Sequence, residues 1–205
     1  MLKVYGDLKS GNCYKIKLLL YQRAIAHEWI PIDILKGETR TETFLAKNPN
    51  GKIPTLELED GRYLSESNAI LFYLAEQTQF LPDEPYDKAK VMQWLFFEQY
   101  SHEPYIAVSR FIIKYLNQAE AQKDTLLAKQ TKGYSALNVM DQQLQQTPFL
   151  VGQHYTIADI ALYAYTHVAH EGGFDLVRFP ALQSWLDRVA HQPNHISMQD
   201  AEKCS

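Results

Sequence analysis

The amino-acid sequence predicts a mixed α/β domain over residues 1–77, followed by an all-α helical bundle domain over residues 87–205. Three observations predict this arrangement. The first part alternates strand-like and helix-like hydrophobic patterns, residues 78–86 are rich in proline and acidic side chains, and the later patterned segments have helical spacing. A chain of 205 residues with 46% apolar composition can form one domain or two, so the connector composition favours two.

The first domain is predicted to contain a strand, a helix, a strand, a short helix, a hairpin and a final helix. Asp60-Gly61 is a turn dipeptide between two strand-like runs, which predicts the hairpin. The N-P-N-G run at 48–51 cannot continue a helix and should end the short one. The predicted strands are 2–6, 29–32, 55–59 and 62–64, and the predicted helices are 14–24, 41–47 and 66–76.

The second domain is predicted to be helical throughout. Pro104 should interrupt its first helix, because proline has no N–H to donate. Thr156 and Asp159 fit the capping-box pattern before an apolar run, and we assign them to folding, since an uncapped helix start costs about 0.5–2 kcal/mol. The predicted helices are 87–117, 124–146, 157–170 and 181–191.

Charge and cysteine content exclude several classes of function. The formal net charge of −4 gives no basic stripe for phosphates, so we expect no nucleic-acid partner. The start M-L-K-V-Y-G-D lacks the features of a secretory leader, and no segment is long and apolar enough to span a bilayer, so we expect a cytoplasmic protein with no membrane association. Cys13 and Cys204 are too few for a disulfide scaffold and should be reduced thiols.

Three segments of the first domain carry candidate binding chemistry. Ser10 and Asn12 precede or begin a helix, where unpaired backbone N–H groups favour an anion, although either residue could simply cap the helix. Pro54 precedes a strand and is a candidate for a cis peptide bond, which would present the Ile53 backbone to an extended peptide. Ser67 at the last helix start could hold a carboxylate while Glu66 receives an ammonium group, or the two could form an ordinary cap.

The conjunction of these segments resembles the cytosolic glutathione transferases, particularly bacterial members with a serine in the first loop. The resemblance covers essentially the whole chain. It rests on V-Y-G-D, S-G-N-C-Y-K-I-K-L, G-E-T-R-T-E-T-F-L-A-K-N-P-N-G-K-I-P-T-L, E-S-N-A-I-L-F-Y-L-A and Y-T-I-A-D-I-A-L-Y. It implies that the first domain is thioredoxin-like, that the chain forms a homodimer, and that it needs no bound cofactor, with glutathione as co-substrate.

The resemblance also implies a role for each candidate residue. Ser10 would face the glutathione sulfur as a hydrogen-bond donor, with Asn12 assisting. Ile53, before a cis Pro54, would pair its backbone with the cysteinyl residue of glutathione. The γ-glutamyl end would be held by Glu66 and Ser67, and the glycine carboxylate would lie toward Arg40 and Lys52.

The expected activity is conjugation of the glutathione thiolate to small hydrophobic electrophiles. Tyr105, Arg110 and Phe111 follow Pro104 and are the candidate wall of the electrophile pocket. Two alternatives stay open. The S-G-N-C run has the thioredoxin spacing with serine in place of the first cysteine, so the chain could reduce disulfides or peroxides with glutathione. It could also be a non-catalytic glutathione-binding regulatory protein. His167-x-x-His170 lacks a third ligand, so we expect no metal.

Overall fold

The structure is a computed structural model that describes residues 1–203, and the expectation of a reduced Cys204 lies outside the described residues. The chain divides into two compact units. One comprises Met1–Glu76 together with the chain from Gln192 onward, and the other comprises Gln77–His191. The first is a four-stranded mixed sheet with helices and the second is helical, which confirms the predicted fold class.

The sheet of the first unit has the strand order β2-β1-β3-β4. The central strand β1 carries Val4, which is fully buried and pairs with Trp29 on one side and Leu56 on the other. Strands β1 and β2 are parallel, and the hairpin strands β3 and β4 are antiparallel, as the turn at Asp60-Gly61 predicts. The strand bounds are β1 Leu2–Gly6, β2 His27–Pro31, β3 Thr55–Glu57 and β4 Tyr63–Ser65.

Helix α1 begins earlier than its sequence pattern predicts. It covers Gly11–Gln22 rather than residues 14–24, because the Ser10 carbonyl accepts hydrogen bonds from the backbone N–H groups of Cys13 and Tyr14. Nine of its residues are buried, so its apolar run packs on more than one side. The other helices of this unit are α2 Glu42–Leu45, α3 Ser67–Ala75 and, near the end of the chain, α9 Met198–Lys203.

The return of the chain to the first unit differs from the sequence prediction, which placed all of residues 87–205 in the helical domain. The Tyr14 hydroxyl, on the fully buried side chain of that residue, donates a 2.8 Å hydrogen bond to the Ile196 carbonyl. Ile196, Met198 and Ala201 are buried as well. This contact depends on tertiary packing. The short polar helix α9 has no hydrophobic periodicity from which its packing could be predicted.

The second unit is built from helices, and its first long helix is interrupted where Pro104 predicts. A wide turn of π-helix at Glu98–His102 lies directly before Pro104, whose missing N–H leaves the Tyr100 carbonyl without its usual partner. A second π-helical turn covers Phe111–Tyr115. The α-helices are α4 Pro85–Phe97, α5 Glu103–Arg110, α6 Lys123–Leu144, α7 Ile157–Thr166 and α8 Pro180–Ala190.

The start of α7 confirms the predicted capping box. The Thr156 hydroxyl accepts a hydrogen bond from the Ala158 N–H, and the Asp159 carboxylate accepts one from the Thr156 N–H at 2.9 Å. Asp159 also accepts hydrogen bonds from the Leu150 N–H at 3.0 Å and from the Trp185 indole at 2.8 Å. One buried carboxylate therefore ties α7 to the chain at Leu150 and to α8 at Trp185.

Candidate functional site

The first part of the site is the turn that leads from β1 into α1. Ser10 is the residue before the helix, with extended backbone angles (φ −77°, ψ 126°), and its side chain makes no capping hydrogen bond. Its N–H donates to the Asp7 carbonyl at 2.9 Å, which closes the turn. The hydroxyl does not cap the helix N–H groups and interacts with the Cys13 side chain. The neighbouring N–H groups of the first turn add a local positive potential.

Cys13 lies in the first turn of α1, and its side chain is buried in the core. Its side chain is fully buried, and a Cβ added to Gly6 would lie only 2.6 Å from the Cys13 sulfur. Burial raises the pKa of the Cys13 thiol to about 12, although contacts with the Asp7 backbone and the Ser10 side chain oppose that shift. Burial thus favours the neutral thiol and keeps the sulfur out of contact with solvent.

The second part of the site is the loop before β3, where the Ile53–Pro54 peptide bond is cis, as expected. Pro54 is buried, Ile53 is partly exposed and Lys52 is exposed. The loop is held by the buried side chain of Asn48, whose amide donates to the Lys52 carbonyl at 2.7 Å and to the Thr55 hydroxyl at 3.3 Å. Three consecutive candidate residues, Lys52, Ile53 and Pro54, are thus fixed by one asparagine.

Arg40 lies against the same loop. Its guanidinium donates to the Asn50 carbonyl at 3.4 Å, and a Cβ added to Gly51 would meet the Arg40 Nη1 at 2.5 Å. Gly51 has a φ of +62°, so glycine meets both a steric and a conformational requirement there. Arg40 and Lys52 are both exposed on this edge, where their charges are accessible to a carboxylate.

The third part of the site is the start of α3. Glu66 has a φ of +68° and a ψ of 111°, a strained conformation for a residue with a side chain, and that side chain is exposed. The next residue, Ser67, is buried, and its hydroxyl donates to the Asn12 Oδ1 at 3.2 Å. The structure thus joins two of the predicted site residues, one from each helix start.

Two residues of this region were not identified from the sequence. Lys15, fully buried on α1, donates to the Ser67 hydroxyl and to the Asn68 Oδ1, each at 3.3 Å. Its signal was a lysine inside an apolar helical run, a position that lysine rarely occupies unless its ammonium has polar partners. Asn48 gave no distinguishing signal, because the N-P-N-G run predicts only a helix stop and a turn.

The candidate electrophile residues make contacts within the helical unit. Arg110 is buried, and its Nε donates to the Glu171 carboxylate at 2.5 Å, a pairing that Lys114 shares. The Tyr105 ring lies 5.3 Å from the Lys129 Nζ, and the Phe111 ring stacks on Tyr115 with centroids 5.3 Å apart. The Arg110 charge is thereby engaged by a carboxylate, whereas the pocket role of all three residues stays a prediction.

Two histidines of the helical unit, His102 and His167, contact side chains of the same unit. The His102 Nε2 is 2.9 Å from the Thr166 hydroxyl, and the His167 ring stacks on Tyr163 with centroids 4.6 Å apart. Among residues 1–203, no group of three His, Cys, Asp or Glu side chains is arranged to hold a metal ion. In the same range, no helix combines the length and the apolar character needed to cross a membrane.

The fold defines a class of proteins with a thioredoxin-like first domain and a helical second domain, and comparisons with known proteins agree. The family model for the glutathione S-transferase N-terminal domain matches residues 10–77, and the model for the glutathione S-transferase C-terminal domain matches residues 94–193. The chain belongs to the glutathione S-transferase family.

Individual relatives span nearly the whole chain. The crystal structure of a glutathione S-transferase from Pseudomonas fluorescens Pf-5 is 61% identical, covers 96% of this chain and 98% of that one, and superposes with a TM-score of 0.95. A glutathione S-transferase structure from Xanthobacter autotrophicus Py2 is 44% identical, with 100% of both chains covered and a TM-score of 0.94. The disulfide-bond oxidoreductase YfcG of Escherichia coli K12 is 31% identical over 193 residues, which are 90% of this chain and 88% of that protein.

Proposed function

We propose that this protein is a glutathione transferase that conjugates the glutathione thiolate to small hydrophobic electrophiles. The observation that carries the proposal is the hydrogen bond from Ser67 to Asn12, which brings the start of α3 beside the start of α1. A ligand carboxylate held at Ser67 and a ligand thiol near Ser10 then belong to one continuous site. The buried thiol of Cys13 supports a reaction in which glutathione supplies the reactive sulfur, as conjugation does.

In this proposal glutathione lies extended across the three parts of the site. Glu66 receives the γ-glutamyl ammonium and Ser67 the adjacent carboxylate. The Ile53 backbone, presented by the cis Ile53–Pro54 bond, pairs with the cysteinyl residue in the manner of an added strand. Arg40 and Lys52, both exposed on the neighbouring loop edge, attract the glycine carboxylate.

Ser10 acts on the sulfur as a hydrogen-bond donor, and Asn12 assists. A free thiol with a pKa of about 8.5 is only a few per cent ionised at neutral pH, and the thiolate is the nucleophile. Lowering that pKa by two units requires about 2.7 kcal/mol, which a hydroxyl donor and a helix N-terminus can supply together. The thiol proton passes to solvent, the thiolate attacks the electrophilic carbon, a C–S bond forms, and a halide leaves with its bonding electrons when the substrate is a halo-aromatic.

The proposal also covers the electrophile site, the cofactor requirement, the cellular location and the oligomeric state. The electrophile binds near Tyr105, Arg110 and Phe111, and no bound cofactor is required. The protein acts in the cytoplasm as a two-fold symmetric homodimer, a state that sedimentation at micromolar concentration tests directly. A purely monomeric species at that concentration would contradict the dimer.

Glutathione-dependent disulfide reduction is the second candidate, and the similarity to the disulfide-bond oxidoreductase YfcG favours it. In that reaction a glutathione thiolate attacks the substrate disulfide and releases one thiol. A second glutathione then attacks the mixed disulfide, which releases the other thiol and yields oxidised glutathione. A protein dithiol cannot take part, because Ser10 replaces the first cysteine of the motif and Cys13 is buried.

The deciding experiment compares turnover on a chlorodinitrobenzene, on hydroxyethyl disulfide and on a hydroperoxide in the wild type and in Ser10→Ala. We expect conjugation in the wild type and a 10²–10³-fold loss in Ser10→Ala, with little change in glutathione affinity and a higher thiol pKa in an ultraviolet titration. Ser184→Ala, which alters an exposed serine on α8 with a hydroxyl bonded to the Pro180 carbonyl, is the matched control. Faster disulfide reduction than conjugation would favour the second candidate, and glutathione binding without any turnover would favour a non-catalytic regulatory protein.

A further inference from the structure

The Lys15 side chain is fully buried, so its ammonium needs polar partners inside the protein. It lies on α1 between Tyr14 and Ile16, and its side chain has no exposure to solvent. A lysine ammonium is a strongly hydrated point charge, so burying it is costly unless polar groups replace the lost water. Two of those groups are the Ser67 hydroxyl and the Asn68 amide oxygen, each 3.3 Å from the Lys15 Nζ.

The chemistry of these groups fixes the direction of the hydrogen bonds. An ammonium group has three donors and no acceptor, so Lys15 donates to Ser67 and the Ser67 oxygen accepts. The one proton of the Ser67 hydroxyl must then point elsewhere, and it donates to the Asn12 Oδ1 at 3.2 Å. Lys15 therefore keeps the Ser67 proton directed away from itself.

We propose that Lys15 is a positioning residue for the α-carboxylate of the γ-glutamyl group of glutathione, an inference that rests on the proposed function. When the carboxylate is present, the Ser67 proton turns from Asn12 to the ligand while Lys15 continues to donate to the Ser67 oxygen. The ammonium also places a positive charge one hydroxyl group away from the carboxylate. Within the low dielectric of a buried site, that charge strengthens the hydrogen bond that Ser67 donates.

The proposal predicts a specific ligand preference. The site should select compounds that carry the γ-glutamyl α-carboxylate over compounds that lack only that group. A suitable pair is glutathione and γ-aminobutyryl-cysteinylglycine, which differ by the carboxylate alone. The chain also supplies a matched control in Lys17, which is 2% exposed on the same helix. The Lys17 Nζ lies 5.5 Å from the Tyr21 ring centroid and 5.3 Å from that of Trp29, not at Ser67.

The test is calorimetric binding of both compounds to the wild type, Lys15→Met and Lys17→Met. We expect the wild type to bind glutathione at least ~10-fold more tightly than the decarboxylated analogue. Lys15→Met should weaken glutathione binding by about 10- to 100-fold, the range for a hydrogen bond strengthened by a charge, while binding of the analogue stays within ~2-fold. Lys17→Met should leave the ratio of the two affinities at its wild-type value.

Different outcomes distinguish a wrong role for Lys15 from a wrong proposed function. If Lys15→Met weakens both compounds equally, Lys15 has only a structural role and the proposal is wrong. Equal wild-type affinities for the two compounds overturn it without any variant. If Lys15→Met loses its native circular dichroism, Lys15→Gln, which keeps a donor but no charge, takes its place with the same two readings. A wild type that binds no glutathione instead contradicts the proposed function itself.

Discussion

The Ser67 hydroxyl and the Asn12 Oδ1 are 3.2 Å apart although 55 positions separate them in the sequence. This hydrogen bond joins the first turns of α1 and α3, the two helix starts that carry half of the eight predicted glutathione-site residues. A substitution at one helix start should therefore alter ligand binding at the other, so the effects of substitutions at the two starts should not be additive.

Ser67→Ala is expected to weaken glutathione binding by about 10-fold and to raise KM with little change in kcat. The substitution removes a contact to the ligand carboxylate, which is present in both the ground state and the transition state. It also removes one acceptor from the buried Lys15 ammonium, so the free energy of unfolding should fall by about 1–3 kcal/mol. Steady-state kinetics and urea unfolding check both effects, with Ser184→Ala as the control. A wild-type KM in a folded Ser67→Ala variant would exclude Ser67 from the site.

Cys13→Ala is expected to change stability more than rate. The fully buried sulfur packs against Gly6, and its loss leaves a small cavity that should cost about 1–2 kcal/mol. In a Cys204→Ser background, the burial that raises the Cys13 pKa to about 12 should also make iodoacetamide labelling slow until denaturant is added. Rapid labelling of the native protein at pH 8, or abolished turnover in Cys13→Ala, would replace the conjugation mechanism with cysteine-based redox chemistry.

The sequence predicts most of the architecture because most elements, though not α9, have a local cause. The period-2 and helical patterns locate the strands and helices, Pro104 accounts for the interrupted helix, and the Thr156–Asp159 pair marks the start of α7. The boundaries are less exact, since the hydrogen bonds that the Ser10 carbonyl accepts extend α1 by three residues.

The less predictable features depend on distant partners. Lys15 stands out in the sequence as a lysine in an apolar helical run, but its partner Ser67 lies 52 positions away and cannot be identified from that pattern. The hydrogen bond from the Tyr14 hydroxyl to the Ile196 carbonyl joins residues that are 182 positions apart. A single sequence records neither contact, because local propensity contains no information about which elements meet in space.

The His27 side chain makes the stability of the first unit depend on pH. Its Nδ1 lies 2.8 Å from the Ile25 carbonyl and its Nε2 lies 3.3 Å from the Lys17 ammonium, so the neutral ring donates at Nδ1 and accepts at Nε2. Burial, with a further contribution from Lys17, lowers the pKa of His27 below its usual 6.5. The unfolded chain then binds the proton more readily, so stability is fully present above about pH 6.5 and is lost as the pH falls through the folded-state pKa.

His27→Gln should therefore flatten the fall of the unfolding free energy as the pH drops below about 6.5. Urea unfolding at a series of pH values measures that slope. His191→Gln, at an exposed histidine after α8, should leave the slope as in the wild type. A slope in His27→Gln equal to that of the wild type would assign the acid sensitivity to other groups.

Asp159→Ala is expected to be the most destabilising of these substitutions, with a loss of about 3–5 kcal/mol. Burial raises the pKa of Asp159 to about 6, and four hydrogen bonds hold its carboxylate: from the Leu150 N–H, the Trp185 indole, and the N–H and hydroxyl of Thr156. Truncation leaves these buried donors without their acceptor. Because the folded-state pKa is raised, the proton-linked part of the stability is present below about pH 4 and is lost as the pH rises through about 6.

Two further variants test whether the stability depends on the hydrogen bonds that Asp159 accepts. One is a partial replacement at Asp159, and the other is a control at an exposed aspartate. Asp159→Asn keeps one acceptor oxygen but sets an amide N–H₂ against other donors, so its loss should lie between those of the wild type and Asp159→Ala. Asp83→Ala, at an exposed aspartate, should change the unfolding free energy by less than about 0.5 kcal/mol. Chemical unfolding at pH 7.5 gives all three values. If Asp159→Ala costs no more than Asp83→Ala, the carboxylate does not hold α7 to α8, and the assignment of the capping box to folding is wrong.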